Sequence, residues 1–133
     1  MSILIVRLGS PRSSDEGLRI GTVRRPPRGV PKEEYSRRGF YDVWLPILSP
    51  SADLVAEAHS IDTAAAWRRF ERRFRAEMRK PDASRTLDLL AALSHASNFS
   101  LGCYCESETH CHRRVLRALL AERGAALRAA RPL

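Results

Sequence analysis

The chain opens on an apolar run, Ile3-Leu4-Ile5-Val6, carried past Arg7 to Leu8 and closed by Gly9-Ser10-Pro11. A short apolar run bounded by turn residues predicts a buried strand over residues 3–8. Alternation in Leu18-Arg19-Ile20-Gly21-Thr22-Val23 predicts a second strand. Pro26, Pro27, Pro31 and Gly29 then exclude regular structure, so Arg24, Arg25 and Arg28 are expected on a stiff loop. Lys32 to Arg38 suits a short helical turn. Phe40 to Leu48 reads as an extended segment interrupted at Pro46, with Trp44 expected in the core. Asp42 reads first as an exposed strand-end carboxylate, with a base or an arginine partner as the other readings.

From Ser49 onward the period changes to that of helices. Ser49-Pro50-Ser51 opens a helix expected to run to about His59, with Asp53 favourably placed in its first turn. Asp62 or Thr63 caps the clearest helix, 63–79, where Ala66, Trp67, Phe70, Phe74 and Met78 recur at three- and four-residue steps as one buried stripe. Pro81 is expected to end it. A further helix, Ser84 to Ala96, buries Leu87, Leu90 and Ala91, with Leu93 as a further core candidate. Residues 98–105 read as a buried strand and 106–110 as a polar loop. Val115, Leu116, Leu119 and Leu120 mark a last helix stopped by Gly124, after which the tail extends it or frays. Strands early, helices in the middle and a late strand-loop-helix unit predict a single α/β domain over 1–133: three layers, with a central, mostly parallel sheet flanked by helices.

Composition narrows the partners. No apolar run approaches the ~20 residues that a membrane span needs. The first residues lack the basic lead of a secretory signal, so a cytoplasmic location is expected. The net charge is +8 over 133 residues, and Lys32 and Lys80 are the only lysines. Such an excess of arginine suits an anionic small molecule or nucleic acid, or else a solvated surface. The run Arg68, Arg69, Arg72, Arg73, Arg75 is interleaved with Glu71 and Glu77, which favours the surface reading there. No aromatic stretch for stacking single-stranded bases is present.

The candidate chemistry lies in Cys103, Cys105, Cys111, His112 and Arg113. If the late strand continues through Cys103 and Cys105, their side chains share a face. Cys111 and His112 fall at the start of the last helix, where the dipole and free N–H groups favour a thiolate or a bound anion. Three readings stand. In the first, Cys103 or Cys111 is a nucleophile, His112 a proton shuttle and Arg113 an anion binder, with Arg24, Arg25 and Arg28 as a phosphate clamp. In the second, Cys103, Cys105, Cys111 and His112 (or His110) hold zinc or iron, although the spacing departs from the usual two-cysteine hook. In the third, the cysteines are small buried hydrophobes. His59 and His95 belong to no constellation and read as surface or capping residues.

Several of these segments resemble the YeaO-like family, domain of unknown function 488. Pro27-Arg28-Gly29-Val30-Pro31-Lys32-Glu33 resembles its Pro-Arg-Gly-Val-x-Lys-Glu segment. Asp42-Val43-Trp44-Leu45 through Ser49-Pro50-Ser51 resembles its Asp-x-Trp-Leu…Leu-Ala-Pro-Ser stretch, and Trp67-Arg68-Arg69-Phe70 its Trp-x-x-Phe helix. Cys103-Tyr104-Cys105 with Cys111-His112-Arg113 is similar to the signature of a Cys-x-Cys…Cys-His-Arg branch. Val23 and Pro26 stand where typical members carry an aspartate and a tryptophan. The resemblance implies a compact three-layer α/β fold and no particular reaction.

Overall fold

A computed structural model describes residues 1–129. Four strands form one sheet in the order β1-β4-β2-β3: β1 (Ile3–Arg7), β2 (Leu18–Gly21), β3 (Val43–Trp44) and β4 (Phe99–Cys103). Every pairing is parallel, with β4 between β1 and β2; Ile5 and Ile20 both lie opposite Leu101. The expected α/β domain with a parallel sheet is therefore the one observed. Four helices follow: α1 (Ala52–Ala58), α2 (Ala64–Met78), α3 (Pro81–Leu93) and α4 (His112–Glu122).

The two faces of the sheet are covered differently. Ile3, Ile5, Ile20, Phe99 and Leu101 pack with the helical residues Trp67, Phe70, Phe74, Leu87, Leu116 and Leu120 in the main core. The predicted aromatic stripe of α2 is this surface. Arg19 and Ser100, on the opposite face, meet Glu16 from the loop before β2. Gly21 and Gly102 are side by side in the strands. A Cβ on Gly21 would lie 2.4 Å from the Tyr41 ring, and one on Gly102 would lie 2.4 Å from Leu8, so only glycine admits the loops that cover this face.

Local signals explain most boundaries. Thr63 Oγ1 accepts from the Ala66 N–H (3.0 Å), capping α2, and Ser51 Oγ accepts from the Leu54 N–H in α1. Gly124 takes a left-handed φ of 77°; its N–H reaches the Ala121 carbonyl and that of Ala125 the Leu120 carbonyl. This double bond is a Schellman stop. Pro81 does more than end α2: at the first turn of α3 its missing N–H costs nothing, so α3 starts three residues before the expected Ser84. The segment 40–48 resolves into the two-residue β3 and a short 3₁₀ turn, Pro46–Leu48.

Three expectations need correction. Leu93, near the end of α3, is not a core residue: 40% of its surface is exposed. Trp44 is not a core residue. It sits on a two-residue edge strand with 42% of its surface exposed, and its indole N–H donates to the Val23 carbonyl at 2.7 Å. The tail after Gly124 neither extends α4 nor frays through residue 129. The Ile3 N–H donates to the Ala126 carbonyl and the Arg128 N–H to the Ile3 carbonyl, so Leu127 lies parallel beside β1 and covers its open edge. Residues 130–133 lie outside the described residues. Among those described, no helix is long and apolar enough to cross a membrane.

Candidate functional site

In a parallel sheet all carboxyl ends point one way, and ligands generally bind beyond them. Here that end carries Cys103 as the last residue of β4 and Thr22 and Val23 just past β2. Above it opens a cavity of about 580 Å³, walled by Pro26, Pro27, Pro50, Val55 and Phe70 and floored by Cys103, Cys111 and His112. The loop 24–28 forms one side of this cavity and the segment 103–112 another, a juxtaposition only the fold could reveal.

Cys111 is the residue that caps α4, with extended backbone angles, and His112 is the first helical residue. The Cys103 and Cys111 sulfurs are 3.5 Å apart and those of Cys103 and Cys105 are 3.6 Å apart; all three thiols are free. The strand ends at Cys103, so the proximity of Cys105 comes from the turn that follows and not from strand alternation. Cys103 and Cys111 are buried and Cys105 is exposed.

His112 is buried and its orientation is fixed. Its Nε2 lies 2.7 Å from the Thr22 carbonyl and 3.2 Å from the Thr22 hydroxyl, which donates its own hydrogen to the Gly102 carbonyl. A carbonyl only accepts, so Nε2 carries a hydrogen. That leaves Nδ1 facing Cys111 Sγ at 3.7 Å. Phe74 meets the ring edge-on. From the sequence Thr22 reads only as strand; its signal is a polar residue at the carboxyl end of a buried strand.

Arg113 is 3% exposed and lies in the first turn of α4, where the helix dipole disfavours a cation. Its guanidinium donates to the Val6 carbonyl (2.6 Å) and the Cys105 carbonyl (2.8 Å), while Nε donates to Cys111 Sγ at 3.4 Å. Among the described residues no carboxylate pairs with it. Interaction with Cys103, then with Cys105, holds the Cys111 thiol far below its ordinary range against the opposing effect of burial, and His112 adds to this. The same contacts to Cys105 and Cys111, with burial, push Cys103 up, so Cys103 keeps its proton. In Cys105 the contact to Cys103 favours ionisation, but Cys111 and burial outweigh it and the thiol is raised.

Arg24 donates to the Pro50 and Ser49 carbonyls and so ties the proline loop to the start of α1. Arg25 and Arg28 are exposed at the cavity wall, and neither side chain has an ion pair or hydrogen bond among the described residues. Tyr104, also on the wall, donates to the Arg25 carbonyl. His110 is exposed and lies against the Trp67 ring; His59 lines the cavity, and His95 donates to the Gly124 carbonyl at the end of α4. Asp42 is an arginine partner: it receives Arg12 on both oxygens (2.8 and 2.9 Å), the Arg19 N–H and the Ser36 hydroxyl. On α2, Arg69 and Arg73 pair with Glu57, and Arg75 with Glu71 and Glu122.

Cys103, Cys111 and His112 bring their ligating atoms within 4.8 Å of one another, close enough to hold a metal ion. Cys105 is not in that trio, though its sulfur touches that of Cys103.

Fold and site together define a parallel α/β domain with a thiol cluster at the carboxyl end of its sheet. Over residues 3–124 the chain matches the family model DUF488-N3a, described as the active DUF488-N3 subclade, and it belongs to that family. The resemblance drawn from Arg28-Gly29-Val30, Asp42-Val43-Trp44-Leu45 and the cysteine segment is thereby borne out. No curated protein and no solved structure matches the chain.

Proposed function

We propose that this protein is a thiol-dependent enzyme acting on an anionic, nucleotide-like small molecule held in the cavity above Cys111. One observation carries the reading. Arg113 is a buried cation and has the Cys111 sulfur as its one non-carbonyl partner among the described residues. An unpaired buried cation is strongly destabilising, so the site favours a negative charge on that sulfur. Cys111 is then the nucleophile, with Cys103 as its hydrogen-bond donor. His112 takes or returns a proton at Nδ1, on the side away from Thr22. Arg28, with Arg25, binds the anionic group at the cavity wall. Arg24 and Arg113 act by positioning, through the carbonyls they hold. The apolar proline and phenylalanine wall suits the flat or apolar body of such a molecule.

The test is the rate of Cys111 alkylation by iodoacetamide from pH 5 to 9. A rate already high and flat by pH 6 is expected; a rate climbing towards the ordinary thiol range near pH 9 sinks the reading. Binding of nucleotides or inorganic phosphate should weaken in Arg28→Ala and survive in the alkylated wild type less well than in the free protein.

A second reading has its own observation. The sulfur separations of 3.5 and 3.6 Å and the sulfur–nitrogen distance of 3.7 Å lie near the roughly 3.8 Å edge of a tetrahedral zinc–thiolate site. Here zinc, or iron, would take Cys103, Cys111 and His112 Nδ1, with Cys105 as fourth ligand. Thr22, accepting from His112 Nε2, would orient that ligand. Near one equivalent of metal in protein purified without added metal, with protected thiols, would favour this reading over the first.

A further inference from the structure

The nucleophile reading uses Cys111 and one hydrogen bond from Cys103, and leaves the second and third thiols without chemistry of their own. Their arrangement is ordered: Cys111 and Cys103 are buried at the cavity floor, Cys105 is exposed, and Cys103 stands between them at 3.5 and 3.6 Å. Sulfur contacts of this length require only about 1.5 Å of approach to reach a bond of roughly 2.05 Å. Cys111 has extended backbone angles and follows the polar loop 106–110, so it is not locked inside the helix.

We propose that the three sulfurs form a relay that reduces a hydroperoxide in the cavity and passes the oxidation to the surface. The inference rests on the reading of Cys111 as the site's nucleophile, and the sulfur contacts of 3.5 and 3.6 Å carry its geometry. In the first step the Cys111 sulfur attacks the terminal peroxide oxygen. An S–O bond forms, the O–O bond breaks, and the departing alkoxide or hydroxide takes a proton from solvent or from His112, leaving a sulfenic acid. In the second step Cys103 loses its proton and attacks the Cys111 sulfur. The S–S bond forms, the S–O bond breaks, and the hydroxyl leaves as water with that proton. In the third step deprotonated Cys105 attacks Cys103 and expels Cys111 as a thiolate, the leaving group that Arg113 favours. Two molecules of a small external thiol then reduce the exposed Cys103–Cys105 disulfide and are themselves oxidised to one disulfide. Burial explains the need for a relay: a bulky reductant cannot reach Cys111, but Cys105 is open to it.

The experiment treats the reduced, chelator-washed full chain with one equivalent of hydrogen peroxide, followed by alkylation and intact-mass and peptide analysis. Wild type is expected to lose two alkylatable thiols and two mass units. Cys103→Ser should instead gain a sulfenic acid on Cys111, trapped by dimedone. Cys105→Ser should form the Cys103–Cys111 disulfide but be re-reduced by glutathione at least tenfold more slowly. Wild type that keeps three alkylatable thiols, or stops at the sulfenic acid, overturns the relay. If Cys111 is nevertheless alkylated rapidly at pH 6, the relay alone fails and the nucleophile reading stands. Slow alkylation at pH 6 removes both.

Discussion

Two arginines are buried on opposite sides of the same sheet, and the protein compensates them differently. Arg19, with no exposed surface, is matched by Glu16, which accepts from its Nε and Nη2 at 2.7 and 3.0 Å, while the Ser10 and Gly39 carbonyls take the remaining fork. Burial alone would raise the Glu16 carboxyl, but Arg19 and then Ser100 bind its charged form and it is lowered instead. This is a closed pair, with charge and hydrogen bonds satisfied. Arg113 has the carbonyls and lacks the carboxylate. Its counter-charge is a cysteine sulfur that opens on a cavity. The first arrangement fixes a loop; under the proposed function the second keeps the Cys111 sulfur charged.

The comparison can be broken from either end. The largest effect is expected for Arg19→Met, which strands Glu16 and should cost about 3–5 kcal/mol in urea unfolding. Adding Glu16→Gln should restore part of that loss, and a pair of variants with strictly additive costs would contradict the pairing. Arg113→Met should cost less, about 1–3 kcal/mol, as two carbonyls lose their donors. Its signature is chemical: alkylation of Cys111 at pH 6 should slow by at least about tenfold, the effect of one unit of thiol pKa. An unchanged rate would mean that Arg113 does not set the charge on that sulfur.

Asp42 sharpens the contrast from the closed side. Burial opposes its ionisation, but Arg12, the Arg19 N–H and Ser36 outweigh this and hold the carboxyl at about 2, below the usual 3.8. A depressed carboxyl stabilises the fold above its unfolded value and loses that contribution as pH falls through the folded one. Stability should therefore drop between about pH 4 and pH 2, and Asp42→Asn should remove that slope at a cost of about 1 kcal/mol at neutral pH. The smallest effect on folding is expected for Arg25→Ala and Arg28→Ala, within about 0.5 kcal/mol. Both should weaken the binding of inorganic phosphate or a nucleotide, measured by calorimetry; tight binding retained in the double variant would place the anion elsewhere.

The sequence by itself determined the elements whose cause is local. The apolar runs at 3–7 and 99–103 are strands because they are buried on both faces, and the Trp67-Phe70-Phe74-Met78 stripe is a helix because only a 3.6-residue period puts those rings on one side. Thr63 and Gly124 marked helix ends through bonds made within a few residues. The clustering of Cys103, Cys105, Cys111 and His112 was legible too, since a parallel strand running into a helix brings these ten residues of chain to one corner. What only the tertiary structure decided depends on partners far away in the chain. Trp44 reads as core from its hydrophobicity, but β3 is an edge strand and leaves the residue 42% exposed. Leu127 becomes a neighbour of Ile3 because β1 leaves an open edge. Above all, Arg113 finds Val6, 107 residues away, and His112 finds Thr22, ninety residues away. Burial and pairing are properties of packing, so a buried cation with a sulfur beside it appears only once the sheet has brought those segments together.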